Sequence, residues 1–450
     1  MTANVGRRRA IMVPPSTTNG RLSRRALPVL APARRETAAS RSRLARGPQR
    51  ERHEPDYLVL VLTFALTAIG LLMIYSSLGV QTAIASGGDP FSAVAPQLIW
   101  SFLGVVALVG MMRLDYRYLR LASVPFFIMA VVLLAVTILP AMGPIQPIVV
   151  GQSARWLKLG PLPPMHPAEI AKLALVVYLA HWLAKRGTRM SSFWHGILPF
   201  LIITGTCLGL VALEPDLGTT GVLTLAAFTM VFVAGARLLH LLVLAPLGVA
   251  AVVMYVLRSD YQMERVHTFI DPWSDPLRTG FQTVQGLYSL ALGGLTGTGL
   301  GESRLPGGLS LPNASNDFIF AVIGQEFGFL GAGLVILLFL FLAYRGVRIA
   351  LRAPDTFGGL LATGITAWLT FQALINIGVV VNLLPITGIP LPFVSDGGSS
   401  LVVSFAAVGI LLSISRETQS RGTWNDAHPD RGRGYGRTHL PSSRGPALPG

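Results

Sequence analysis

The chain has 450 residues, 52% of them hydrophobic and 13% charged, with a formal net charge of +15. The basic excess does not describe a nucleic-acid binder, because 13 of the 36 basic residues are arginines in the first 56 positions and six more lie beyond Ser415. Apolar residues instead gather in blocks of about 20, the length that crosses a ~30 Å hydrocarbon core as a helix, so the chain is a polytopic membrane protein.

Residues 1 to 56 are rich in Arg, Ser, Pro and Ala and bury too little surface to fold, which predicts a disordered tail. No apolar core there leads to a small-residue cleavage site, so the first apolar run is expected to stay as an anchor. Apolar runs then follow at 57–81, 94–112, 121–141, 167–184, 194–213, 217–236, 238–257, 317–344, 357–384 and 392–415. These predict an all-α protein with about ten transmembrane helices and a long extracytoplasmic loop between spans 7 and 8. A second disordered tail is predicted from 417 to 450. Basic tails of this kind touch anionic lipid headgroups. The single cysteine, Cys207, lies inside an apolar run, which excludes an intramolecular disulfide and CxxC metal chemistry.

Short cytoplasmic loops carry an excess of Lys and Arg. With the Arg-rich N-terminal tail inside, the turns that return inside are MRLDYRYLR, AKRGTRM, GAR, YRGVRIALR and SRETQSR, and each is basic. The opposite turns are richer in Gly, Pro and carboxylates. Ten spans with both termini cytoplasmic satisfy the alternation throughout. Unusual sequence therefore collects on the outer face. The segment from 258 to 316 is too long for a simple connector and is expected to be functional; within it, FQTVQGLYSLALGGL reads as a short helix lying in the interface.

Ionisable residues at the mouth of a span are costly and mark working cavities. Glu169 and Lys172, three apart at the start of the fourth span, share a helix face, either as a surface ion pair or as a functional one. His166 reads as a lone interfacial histidine, since no second His or Cys accompanies it. Glu214 and Asp216 flank a proline between two runs with almost no loop, which buries at least one carboxylate; Asp216 also suits an N-cap. The same cap reading applies to Asp317, at the head of the eighth run. Arg265 and Arg278 on the long loop, with Arg155 and Lys158 of ARWLK on the same side, suit a grip on phosphate oxygens or ordinary pairing with loop charges. The glycine clusters GGLTGTGLG and SDGGSS follow no strand and are weak phosphate-loop signals.

The stretches ARWLKLGP, PAEIAKLAL, EPDLGT, ERVHTFIDPWSDPLRTGFQTVQ, GGLTGTGLGESR, NDFIFAVIGQEFG and NIGVVVNLLPITGIPLPFVSDGGSS, in this order, resemble the SEDS family of membrane glycosyltransferases. The resemblance covers about 57 to 417, a ten-span glycosyltransferase domain. The DPW and GLGESR wording is more similar to the division branch, FtsW, than to the elongation branch, RodA. The resemblance implies that Asp317 is the catalytic acid or base, and that Glu169, Lys172 and Asp216 line a central cavity. Three positions depart from the family pattern: Ser315-Asn316 stand for His-Thr, Ala168 for Ser, and Asp396 for Tyr or Asn.

The implied activity is polymerisation of lipid II into peptidoglycan at the outer face of the bacterial cytoplasmic membrane, at the division septum, with release of undecaprenyl pyrophosphate. Positive charge for that leaving group is expected from Arg155, Lys158, Arg265, Arg278 or a divalent cation such as Mg2+ or Mn2+; no organic cofactor is expected. A class B penicillin-binding protein is the implied partner, alongside other division proteins and membrane lipids. The competing readings are an elongation polymerase, a lipid II flippase, or a catalytically silent scaffold. Against a transporter, no internal repeat is visible and the polar residues gather on one face rather than at midplane.

Overall fold

The computed structural model describes residues 54–79, 89–139, 145–150, 153–160, 163–187, 190, 192–302, 311 and 314–417. The tails predicted to be disordered lie outside the described residues except at 54–56 and 417. The helices are α1 (Tyr57–Ile74, extended by a π-helical turn Tyr75–Gly79), α2 (Ala95–Arg113), α3 (Tyr118–Ile138) and α4 (Pro167–Arg186). They continue with α5 (Leu198–Leu213, preceded by a π-helical turn Phe193–Ile197), α6 (Leu217–Val233), α7 (Leu238–Arg258), α8 (Asp260–Ile270) and α9 (Phe281–Gly293). The last three are α10 (Ile319–Arg352), α11 (Thr356–Val380) and α12 (Gly398–Ser415).

Among the described residues nine helices are long and apolar enough to cross a membrane. The sixth predicted run, 217–236, forms α6, whose 17 residues extend about 25 Å at 1.5 Å per residue, short of a ~30 Å core. It stops early because Gly235, at φ 90°, turns the chain into the left-handed region that a helix cannot continue through. The helices α4, α11 and α12 form the centre, whereas α7 lies at the periphery: 83% of α12 is buried but only 6% of α7. In lipid an apolar residue needs no cover from protein, so α7 can present Leu239, Leu242, Val249 and Leu257 outward.

Two features depart from the sequence reading. The Pro-rich turn before α4 contains an antiparallel hairpin, β1 (Ile145–Val150) and β2 (Ser153–Leu159), paired from Ile145↔Leu159 to Val150↔Ser153 with a bulge at Ile148/Val149. Its period-2 pattern puts Arg155 and buried Leu157 on one face and exposed Lys158 on the other. The prolines in this stretch, read as loop signals, hid the alternation.

The second departure is the role of GGLTGTGLG. Gly328, at φ 65° and ψ −165°, breaks α10 nine residues into its run and frees backbone groups that a helix would pair internally. The glycine loop supplies their partners. Thr298 and Gly299 N–H donate to Gln325 O and Glu326 O at 2.9 and 3.1 Å, and Phe329 and Leu330 N–H donate to Gly294 O and Leu295 O at 2.9 and 3.2 Å. Irregular backbone at membrane depth survives only where it is satisfied this way. A Cβ on Gly297 would sit 2.0 Å from Glu326 O, so these glycines are there for backbone approach rather than for phosphate. Below the kink, Ser76 Oγ donates to Glu326 Oε1 at 2.5 Å and accepts from Gly301 N–H at 2.9 Å, tying loop, α1 and α10 together. The first turns of α10, which follow Asp317, are thereby held by the glycine loop and by the extension of α1.

Candidate active site

Residues from seven separate stretches converge on one cavity of about 280 Å³. Asp317, Glu169, Asp216, Arg155 and Arg265, all singled out from sequence, line it together with His166, Tyr261, Gln282, Gly388 and Asp396. Lys172 does not line it, but its Nζ is hydrogen-bonded to Glu169, which does. Lys158 and Arg278 are exposed and do not line it, so the expectation that all four basic residues share the site holds for Arg155 and Arg265 alone.

Asp317 is 5% exposed, and it does not cap α10: Phe318 occupies that position and no side chain caps the helix. Its Oδ1 is buried without a hydrogen-bond partner. The backbone around it is clamped instead. Asn376 Nδ2 donates to Asp317 O at 2.8 Å, Ser395 Oγ donates to Asn316 O at 2.5 Å, and Asp396 N–H donates to Ser315 O at 2.8 Å. The same Asn376 Nδ2 reaches Ile389 O at 2.8 Å, so α11 and the 388–396 segment fix the aspartate jointly. Burial pushes the Asp317 carboxyl up to about 6, against the opposing pull of Arg265 and Arg155. The departure at 396 leaves the clamp intact, since a backbone N–H does that work, but adds a carboxyl to the cavity wall that burial also pushes up.

The Glu169–Lys172 pair is not a surface pair. Lys172 is fully buried; its Nζ donates to Glu169 Oε1 at 2.8 Å and to Gln372 Oε1 at 2.7 Å, and it sits 5.3 Å from the Trp368 ring centroid. Gln372 also accepts from Trp368 Nε1 at 2.7 Å and donates to Pro390 O at 2.9 Å. Glu169 Oε2 is buried and unpartnered. Ala168, another departure, is fully buried, where a methyl fills the space without a hydroxyl to satisfy.

Asp216 combines the two roles considered for it. It is the N-cap of α6, accepting from Thr219 N–H at 3.0 Å, and it lines the cavity, with Oδ2 3.9 Å from His166 Nε2. Burial alone would raise its carboxyl, but Arg155, His166 and Thr219 outweigh it and hold it below the usual range. Its neighbour Glu214 is also buried, accepts a hydrogen bond from Thr137 Oγ1, and is pushed by burial up to about 8. Arg155 is fixed by donating from Nε to Glu214 O at 3.3 Å and from Nη2 to Pro215 O. Arg265, on α8, donates from Nη1 to Ile386 O at 2.9 Å and stacks on Tyr261 at 4.5 Å. Both guanidinium groups are thus held by neutral carbonyls and keep their charge available to an anion.

Gly388 forms the wall between Asp317 and Arg155. A Cβ there would lie 3.6 Å from Arg155 Nη1 and 4.0 Å from Asp317 Oδ2, and the residue sits at φ 74°. Gly388→Ala is expected to lose about 1–2 kcal/mol from the left-handed backbone and to narrow the cavity by one methyl, which a thermal melt of the purified variant checks.

The sequence reading set His166 aside as a lone interfacial histidine and did not single out Gln282, Gln372, Asn376 or Gly388. The signal for two of them was present: Gln372 and Asn376 are polar residues at i and i+4 inside an apolar run, one face of α11. Only ionisable residues were weighed there. Among the described residues no group of three or more His, Cys, Asp or Glu gathers as a metal site.

A family model described as the FtsW/RodA/SpoVE cell cycle protein matches residues 56–420. The chain belongs to this family. It is 40% identical over 362 residues to stage V sporulation protein E of Bacillus subtilis, covering 80% of this chain and 97% of that relative. It is 37% identical over 368 residues to the probable peptidoglycan glycosyltransferase FtsW of Geobacter metallireducens, covering 82% and 96%. Among solved structures, a chain of a peptidoglycan synthase complex that coordinates polymerisation and crosslinking is similar at TM-score 0.66 and 29% identity, over 80% of this chain and 98% of that one. The crystal structure of Thermus thermophilus rod shape determining protein RodA is similar at TM-score 0.58 and 27% identity, over 81% and 98%. This member of the FtsW/RodA/SpoVE family is accordingly a multi-pass membrane protein with the expected helical architecture.

Proposed function

We propose that the chain is a peptidoglycan glycosyltransferase of the division branch, polymerising lipid II at the outer face of the cytoplasmic membrane. The observation that carries this reading is the Asp317 carboxylate, buried with one unpartnered oxygen at the mouth of a membrane span, in a cavity that also holds Arg155 and Arg265. Asp317 takes the proton from the acceptor GlcNAc 4-hydroxyl as that oxygen bonds to the donor MurNAc anomeric carbon. The anomeric carbon–oxygen bond breaks at the same centre, and undecaprenyl pyrophosphate leaves with the electron pair. Arg155 and Arg265 offset the charge that develops on it. Polyprenyl tails stay in lipid beside the spans while the sugars react in the cavity.

A divalent cation fits this donor set when substrate phosphates complete its shell, because Mg2+ is bound through one or two carboxylates rather than by a protein cage. Glu169, with its unpartnered Oε2, and Asp216 would hold it. It would supply further charge neutralisation to the leaving pyrophosphate. The family resemblance and the neighbouring synthase complex support a class B penicillin-binding protein as partner, and the basic turns support cytoplasmic termini; septal location follows from the division reading.

Lipid II supplied to the purified full chain in detergent with Mg2+, with and without such a partner, is expected to yield glycan polymer. Movement of lipid II across liposomes without any polymer would overturn the enzyme in favour of a flippase.

A further inference from the structure

The end of α10 opposite Asp317 carries a second polar cavity, of about 360 Å³. Arg345, Arg348 and Arg352 recur there at i, i+3 and i+7, one face of the helix. They lie roughly 45 Å along α10 from Asp317 at 1.5 Å per residue, which puts the two cavities on opposite membrane faces. One wall is prebuilt. Arg345 donates to Asp56 Oδ2 through Nε at 2.9 Å and Nη2 at 2.5 Å, and Asp56 N–H donates to Ser415 Oγ at 3.1 Å. Both side chains of that pair are largely covered, at 19% and 10% exposure, so it joins the start of α1 to the end of α10 and neutralises one guanidinium.

Arg348 and Arg352 have no carboxylate partner among the described residues. Arg348 is oriented by stacking on Tyr344, 5.6 Å from the ring centroid. Glu54 is the other acid lining the cavity. Tyr57 and Tyr344 stand half exposed at this level, as interfacial aromatics do. Val347 and Leu351, on the adjacent face of α10, are 50% and 81% exposed and open on an apolar groove of about 690 Å³. Two guanidinium groups beside exposed apolar surface, at the depth of interfacial tyrosines, match the boundary between phosphate and acyl chain.

We propose that this cavity binds the phosphodiester headgroup of an anionic phospholipid, with Arg348 and Arg352 as its ligands and the Arg345–Asp56 pair as the fixed wall. A soluble phosphate has the same charge chemistry, but it makes no use of the apolar faces that flank the arginines. Basic pockets between membrane helices select anionic headgroups in this way.

The delipidated full chain, offered phosphatidylglycerol and phosphatidylcholine of identical acyl chains in native mass spectrometry, is expected to retain the glycerol lipid over the choline lipid by about thirtyfold, the strength of two interfacial arginines. The preference should collapse in R348Q/R352Q and fall about fivefold in each single variant, which carry the test if the double variant does not fold. R113Q/R120Q removes the same charge from the ends of α2 and α3 that flank their shared turn and should keep the preference. That turn lies on the same membrane side, since Arg117 pairs there with Asp355 and Glu417 at 3.4 and 2.7 Å. No preference in the wild-type chain, an equal loss in R113Q/R120Q, or displacement of the lipid by an equal concentration of glycerol 1-phosphate would each overturn the site.

Discussion

Asp317→Asn is expected to lower polymerisation by about 100- to 10,000-fold, the range that a positioned proton acceptor contributes, in a protein that folds at least as well as the wild type. Asparagine keeps the shape of the side chain but cannot take the acceptor's proton. The clamp from Asn376, Ser395 and the Asp396 amide acts on backbone carbonyls and survives the change. Folding raises the Asp317 carboxyl from about 3.9 in an unfolded chain to about 6. Its contribution to stability is therefore fully present below about pH 3.9 and is lost as the pH rises through 6, so the ionised form costs about 3 kcal/mol above that. The Asn variant should melt higher than the wild type at pH 8, and the difference should shrink by pH 5. Wild-type polymerisation should fall about tenfold per unit below pH 6, as the carboxylate is protonated. A wild-type rate that stays flat between pH 5 and 8, or an Asn variant that polymerises normally, would remove Asp317 from its role.

The largest stability loss is expected for Lys172→Met. Methionine fits the volume, but the change leaves Glu169 buried at 3% exposure without its cation. Removing one partner of a buried ion pair costs about 3–5 kcal/mol. Gln372 Oε1 loses one of its two donors as well. The double variant Glu169→Gln/Lys172→Met removes both charges and should recover most of the loss in a thermal melt. If the single and double variants melt alike, the pair is not what holds α4 against α11. Activity should not return with stability in the double variant, because Glu169 also lines the cavity.

Much of the fold was legible because span formation is a local property. Each predicted run has its helix, with close ends at 57–81 against Tyr57–Leu78, 94–112 against Ala95–Arg113 and 238–257 against Leu238–Arg258, and wider misses at 317–344 against Ile319–Arg352 and 392–415 against Gly398–Ser415. The site was legible in part. Asp317, Glu169, Asp216, Arg155 and Arg265 were found because an ionisable group beside a long apolar run is conspicuous. Lys158 and Arg278 were included because charge and membrane side were the only criteria available for them. Lys158 is excluded by strand alternation, one residue of register being enough to reverse its face. Arg278 follows α8 on an exposed turn whose direction no sequence pattern sets.

What the amino-acid order determined by itself was the number and placing of the apolar runs, the basic turns that alternate between them, and the family that its motifs resemble. Hydropathy and charge act over one helix or one turn and need no knowledge of the neighbours. The tertiary structure decided which carboxylates are left unpartnered and which are paired. Asp317 could have been a cap, but Phe318 takes that position and α11 holds the backbone, leaving Oδ1 buried without a partner. Lys172 could have been a surface partner, but Gln372, 200 positions away, meets it in the protein interior. Both outcomes depend on groups brought together by packing across the bundle, where burial sets the energy of a charge and sequence distance carries no information about it.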